Sequence, residues 1–217
     1  ERVPLVQKMI IHKCNAIGRP VITATQMLMR MVDSPRPTRA EATDVANAIL
    51  DGRDAVMLSE ETAVGKYPIE AVMTMDRIAR TAETALDTVK FESRPVNTRP
   101  GDAISRASYF IAKEIGASAI ITPTWSGSTA CLVSRFRPKH PILATTPYDT
   151  AFDFLSLCSG VVPFRIPNLD NFDDMIRFSI DAGRRCGYLE SGQYVVVTGG
   201  APLAEAGKTN FIKVERV

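Results

Sequence analysis

VITATQMLMRMVDSPRPTRAEATDVANAILDGRDAVMLSEE, residues 21–61, is the stretch whose reading decides the fold. Two short apolar runs lie in it, VITAT at 21–25 and AVML at 55–58, and each ends in small or polar residues able to meet a ligand. The first follows the turn residues Gly18, Arg19 and Pro20 and is rich in β-branched side chains, the composition of a buried parallel strand. Between the runs, Thr38-Arg39-Ala40-Glu41 has the spacing of a capping box. The Thr38 hydroxyl accepts from the third helical amide while the Glu41 carboxylate accepts from the cap amide. Val45, Ala48 and Ile49 then form an apolar helical stripe, and Gly52 offers a stop. The unit reads strand, helix, strand, with the carboxyl ends of both strands on one edge, where α/β proteins place their sites.

Composition narrows the function classes. The chain has 217 residues, enough for one large domain or two small ones, with 45% hydrophobic and 23% charged residues and a formal charge of +2. With no polybasic run and no interleaving of basic and aromatic residues, nucleic acid and anionic membrane are poor partners. Cys14, Cys131, Cys158 and Cys186 are scattered, so buried free thiols in a reducing compartment, the cytoplasm, are expected. Neither they nor His12 and His140 have the paired spacing of a zinc site. The helical pattern from Val3 through Val6, Ile10 and Ile11 to Cys14 is already under way at the first residues, and an upstream piece is expected.

Further along, Pro68 opens a helix carrying Ile69, Val72, Met75, Ile78, Ala79, Ala82 and Leu86. Residues 1–90 then alternate helix and strand but hold only two good strands, too few to close a barrel. Periodicity lapses in the FESRPVNTRP run, and a second domain, 91–217, is expected. Its helix face of Ile104, Ala107, Ser108, Ile111 and Ile115 leads into strands at 119–122, 142–145, 161–166 and 194–198, with helices between them. Thr150 with Asp153, and Asn171 with Asp174, are candidate caps. This alternation implies a three-layer α/β domain with a mainly parallel sheet. The last strand, 211–217, stays unoriented, although a hairpin-like return through 199–210 would make it antiparallel.

In that second domain Thr124-Trp125-Ser126-Gly127-Ser128-Thr129 gathers hydroxyls, a glycine and the first amides of a helix, a sensible cradle for phosphate. It lacks the P-loop pattern, so triphosphate hydrolysis is unsupported. The plainer reading is a capped helix without a ligand. Trp125 either packs a ring against an effector or covers a subunit contact. Arg36 and Arg39 fit solvent exposure or subunit salt bridges as well as anion attraction.

The segment QKMIIHKCNAIGRPVITATQMLMRM, with PRPTRAEATDVANAILDGRDAVMLSEETAVGKYPIEAV after it, resembles the late barrel region of pyruvate kinase. The likeness continues through TPTWSGSTA and VVTGG, covering nearly the whole chain. It implies that residues 1–90 are the last part of a catalytic TIM barrel and 91–217 the family's C-terminal regulatory domain. The family transfers a phosphoryl group from phosphoenolpyruvate to ADP in glycolysis, giving pyruvate and ATP. It is commonly tetrameric and uses magnesium or manganese, often with potassium.

By that resemblance Thr25 lines the phosphoenolpyruvate pocket beside the enolate, Gln26 shapes the same loop, and Ser59 and Glu61 belong to a proton-delivery network. Glu60 departs from the glycine often found between them. Read without the resemblance, Thr25 is an ordinary strand-end residue and Glu61 a solvated acid at a helix start. The family's metal-binding acids and catalytic lysine have no counterpart in the matching region, so the chain alone is expected to be inactive and to bind none of these metal ions strongly. Thr124, Ser126, Gly127, Ser128 and Thr129, with Lys208 as a second phosphate contact, are carried over as ligands of a sugar-phosphate or nucleotide-monophosphate effector. The apolar faces of 3–14 and 69–86 imply association, as a homo-oligomer or with a complementary upstream fragment. The competing functions are a self-contained phosphometabolite-binding module and an assembly protein.

Overall fold

A computed structural model describes residues 1–24, 26–86, 99–169, 171–200 and 208–217. The chain divides into two compact units, one of Glu1–Asn15 and Pro20–Lys90, the other of Ala16–Arg19 and Phe91–Val217.

In the first unit, helix α1 (Val3–Ala16) precedes strand β1 (Ile22–Thr23), and helix α2 (Arg39–Leu50) leads to strand β2 (Ala55–Val56). The strands pair in parallel, Ile22 with Ala55 and Thr23 with Val56. They are shorter than the apolar runs that announced them, yet the ladder reaches further: Met57 donates to the Thr23 carbonyl and Asp54 to that of Val21. This is a piece of a barrel sheet, not a closed one. The Thr38–Glu41 capping box is formed in both directions. Short helix α3 (Glu60–Ala63) follows β2, then helix α4 (Pro68–Glu83) opens with proline at its first position. Val45 and Ala48 of α2 and Ala71 and Met75 of α4 are buried together with Met27, Leu28 and Met31.

The apolar residues of α4 are divided between a buried and an exposed side. Its buried side carries Ala71, Thr74, Met75 and Ala82, whereas Ile69 and Val72 are more than half exposed. Val3, Val6 and Ile10 of α1 are exposed too, and only Ile11 and Asn15 are buried. Asn15 donates from its side-chain amide to the Gly52 carbonyl at 3.0 Å, which ties α1 to the turn before β2.

In the second unit five strands line up as β5-β4-β3-β6-β7, namely β3 (Ala119–Pro123), β4 (Ile142–Thr146), β5 (Val161–Arg165), β6 (Tyr194–Gly199) and β7 (Phe211–Arg216). The first four are parallel, and β7 runs antiparallel to β6. Alternate side chains leave opposite faces of the sheet. Ile120, Ile142, Ala144 and Val196 meet helices α5 (Pro100–Ile115), α6 (Ser128–Ser134) and α7 (Asp149–Leu155). Ala119, Ile121, Leu143, Val195 and Val197 meet helix α8 (Phe172–Arg185). That is the three-layer arrangement. Asn171 caps α8 by accepting from the Asp173 amide, but α7 begins at Asp149 without a side-chain cap, so Thr150 is inside the helix and not its cap.

The chain moves outward from β3 to β4 and β5, then crosses back to lay β6 on the other side of β3. The crevice beyond the carboxyl ends of β3 and β6 is therefore a topological switch point, the place where open α/β sheets bind ligands.

Candidate functional site

Two places gather the side chains singled out above, one in each unit. In the first, Thr25 lies outside the described residues. Gln26 is exposed and has φ of 53°, a left-handed conformation uncommon for a residue with a side chain. Ser59 is exposed, three residues beyond β2 and immediately before α3. Glu61 is fully buried, so the solvated-acid reading does not hold. One of its carboxylate oxygens accepts from the Leu28 amide at 2.9 Å and the other from the Ser59 amide at 2.8 Å. Burial favours its neutral form, but the amides of Ser59, Leu28, Met27 and its own residue outweigh that and hold the carboxyl below its ordinary value.

Glu41 does the same for the other end of the loop. Its side chain accepts from the Arg30 amide and from the Thr38 amide, each at 2.7 Å. Two carboxylates thus fix the backbone that leaves β1, one against the end of β2 and one against the start of α2. The capping-box spacing revealed the Thr38 half of this; nothing in the local pattern revealed the Arg30 half, because the partner sits 11 residues away.

In the second unit a cavity of about 1190 Å³ opens at the switch point. Ser126, Ser128 and Lys208 line it, as do Arg19 and Arg99, Trp125, Tyr148 and Phe154. The Ser126 hydroxyl donates to that of Ser128 at 3.2 Å, and the rings of Trp125 and Tyr148 meet edge to face with centroids 6.4 Å apart. Thr124, Gly127 and Thr129 do not line the cavity; they build the wall behind it. The Thr124 hydroxyl accepts from the Gly127 amide at 3.0 Å and closes the turn after β3. Gly127 takes φ of 82°, and a β-carbon there would come within 3.1 Å of Leu155 and 3.2 Å of Phe154. Thr129 shares a 2.8 Å hydrogen bond with Thr209, fastening the start of α6 to the residue after Lys208.

Sequence reading missed Arg19, Arg99 and Tyr148 as cavity residues; Arg19 stood only in a turn and Arg99 only in the run where periodicity lapses. It also missed the pair behind the wall. Arg135 donates to Asp102 at 2.6 Å, to the Ala16 carbonyl at 3.0 Å and to the Ser105 hydroxyl at 3.3 Å. Both charged side chains are almost wholly buried, and the Arg135 guanidinium lies 4.9 Å over the Phe136 ring. Asp102 also borders the cavity, but its charge is matched by Arg135. Arg19 and Arg99 line the cavity beside two serine hydroxyls and an aromatic wall, an arrangement that suits a phosphorylated organic molecule.

Among the described residues no three His, Cys, Asp or Glu side chains come together as a metal-binding group. No step here runs through the divalent ion that the resemblance implies.

The description "Pyruvate kinase, barrel domain" matches residues 1–72 and "Pyruvate kinase, alpha/beta domain" matches residues 102–215. The chain belongs to the pyruvate kinase family. Pyruvate kinase from Clostridium acetobutylicum is 50% identical over 220 residues, covering 100% of this chain and 46% of that protein. The enzyme from Geobacillus stearothermophilus is 48% identical over 217 residues, covering 99% of the chain and 37% of the relative. That from Eimeria tenella is 42% identical over 221 residues, at 99% and 41%. The chain thus spans less than half the length of each of these pyruvate kinases. The strand-end residues Gln26, Ser59 and Glu61 lie within the stretch matched to the pyruvate kinase barrel, and the cavity residues Trp125, Ser126, Ser128, Tyr148 and Lys208 within that matched to its alpha/beta domain.

Proposed function

We propose that this chain is the late-barrel and regulatory portion of an enzyme that transfers a phosphoryl group from phosphoenolpyruvate to ADP, giving pyruvate and ATP in the cytoplasm. The observation that carries the reading is the collinear match of both units to the two pyruvate kinase descriptions, at up to 50% identity with named enzymes. Among the described residues no helix is long and apolar enough to cross a membrane.

In this reading the strand ends of the first unit form one side of the phosphoenolpyruvate pocket. Thr25 orients the substrate or a proton-relaying water, since an alcohol of ordinary acidity is a poor unaided acid. Glu61 acts through the backbone: its carboxylate holds the 26–28 loop against Ser59, so it positions Gln26 and Ser59 and does not itself deliver a proton. Magnesium or manganese, potassium and the catalytic lysine come from the remainder of the enzyme.

The cavity of the second unit is the effector site, taking a sugar phosphate or nucleotide monophosphate. Ser126, Ser128 and Lys208 hold the phosphate, and Trp125 and Tyr148 flank the organic part. Arg19 and Arg99 at the rim draw the anion in. Because every residue of this site belongs to one unit, a free-standing phosphometabolite-binding module is the second reading.

Association follows from the exposed apolar residues of the first unit. Val3, Val6, Ile10 and Ile22 border a groove of about 690 Å³ between α1 and β1, which suits either a neighbouring barrel element or a second copy.

Coupled turnover of phosphoenolpyruvate and ADP tests the whole reading. The 217-residue chain alone is expected to give no ATP, and activity is expected to appear when it assembles with the N-terminal half of a relative. A demonstrably assembled but inactive complex would reject the enzyme reading and leave the binding module. A chain that stayed monomeric in light scattering, with its first unit resistant to protease, would reject the association.

A further inference from the structure

Two of the four cysteines face each other behind the effector cavity. Cys131 is on α6 and Cys158 lies three residues beyond α7; neither is in a disulfide, both are buried, and their sulfurs are 3.1 Å apart. A disulfide needs an S–S separation of about 2.05 Å, so closure asks for roughly 1 Å of movement. Cys131 also lines the cavity, which gives a small oxidant a path to its sulfur. The Cys158 thiol points back along its own segment, donating to the Phe154 carbonyl at 3.8 Å.

That segment bears on the ligand loop. Leu155 and Phe154 fill the space beside Gly127, and Phe154 itself lines the cavity. Ser128, which also lines the cavity, is the first residue of the helix that carries Cys131. Drawing the two sulfurs together therefore pulls on the α6 side of the cradle and on the side chains packed against its glycine. Packed interiors have low compressibility and pass such displacements on to their neighbours.

We propose that hydrogen peroxide or a comparable two-electron oxidant joins Cys131 to Cys158, and that this crosslink weakens binding of phosphorylated ligands in the adjoining cavity. The Cys131 sulfur attacks one peroxide oxygen and the O–O bond breaks. The released hydroxide takes the thiol proton and leaves as water, and Cys131 is now a sulfenic acid. The Cys158 sulfur then attacks the Cys131 sulfur, the S–O bond breaks, and the second hydroxide leaves as water with the Cys158 proton. Two thiols are oxidised to one disulfide and one peroxide is reduced to two waters. A dithiol such as dithiothreitol reverses the step. The loss of affinity rests on the effector-site reading; the crosslink does not.

The test uses the full 217-residue chain, treated with peroxide, quenched with catalase, alkylated and digested without reductant. A peptide pair linking Cys131 to Cys158, abolished by dithiothreitol, is expected. Titration calorimetry with adenosine monophosphate and with glucose 6-phosphate should show at least one of them binding the oxidised form more weakly, by roughly fivefold or more. Reductant should restore the affinity, and the Cys158→Ser variant should show no peroxide effect. Recovery of both residues alkylated, or of Cys131 as sulfinic acid with no linked peptide, would overturn the proposal. A linked protein with unchanged affinity would overturn its regulatory half. If the reduced chain bound neither probe, the effector reading would fail, and the crosslink would stand or fall on the peptide map alone.

Discussion

Replacing Arg135 with methionine isolates the electrostatics behind the cavity of the second unit. The substitution removes a guanidinium whose side chain is 3% exposed and leaves the Asp102 side chain, 5% exposed, without a countercharge. Breaking such a pair from one side costs about 3–5 kcal/mol, because the remaining charge keeps its desolvation penalty. The Ser105 hydroxyl and the Ala16 carbonyl lose a donor as well, and Ser105 still donates to the Asp102 carbonyl at 3.1 Å. The double variant Arg135→Met with Asp102→Leu removes both charges and is expected to recover at least about 2 kcal/mol of the loss. Urea unfolding gives the measurement. Trp125 is the chain's one tryptophan and belongs to the second unit, so its fluorescence reports that unit's unfolding. A single variant that loses under about 1 kcal/mol, or a double variant as unstable as the single, would refute the argument from buried charge.

Other expectations concern the carboxylate clamps and the cradle. Glu61→Gln keeps the shape but turns one acceptor into a donor facing an amide, so the first unit should lose about 2 kcal/mol, read as faster hydrogen exchange at Leu28 and Ser59. Unchanged exchange there would show that the clamp contributes nothing. Both Glu61 and Glu41 sit below the ordinary value of 4.5, so their contribution is complete above that pH and disappears as pH falls through the lowered values. Acid titration of the first unit followed by exchange or proteolysis should show this loss, weaker in Glu61→Gln. Ser126→Ala with Ser128→Ala removes two hydroxyls from the cavity and should reduce affinity for a phosphorylated probe by roughly tenfold or more with little change in the urea midpoint. Equal affinity in calorimetry would mean that the phosphate sits elsewhere.

Features set by neighbours along the chain were the legible ones. The Thr38–Glu41 box and the Asn171 cap depend on residues within three positions, and the alternating faces of β3, β4 and β6 depend on a period of two. Where a distant partner decides, local pattern misled. Ile115 of α5 looked like core and is 40% exposed, while the acidic Asp102 on the same helix is buried because Arg135, 33 residues on, neutralises it. Glu61 looked like an acid at a helix start, and its burial depends on an amide 33 residues earlier. The hydroxyl cluster after β3 was visible as a cluster, but which members face the cavity was not. Thr124 and Thr129 turn away because a backbone amide and Thr209 hold them.

The hydrogen bond between Thr129 and Thr209 joins residues 80 positions apart, and strands β3 and β6 on either side of the crevice are nearly as distant in the sequence. Forming contacts between such distant segments carries a loop-closure cost, so their docking is expected late in the folding of this unit. A chain emerging from the ribosome through β5 would already carry Ser126 and Ser128, yet would lack Lys208 and the threonine that anchors α6. On the effector-site proposal, affinity for anions arises only with the closing strands, which would make a phosphorylated ligand a reporter of whether synthesis has produced a finished sheet.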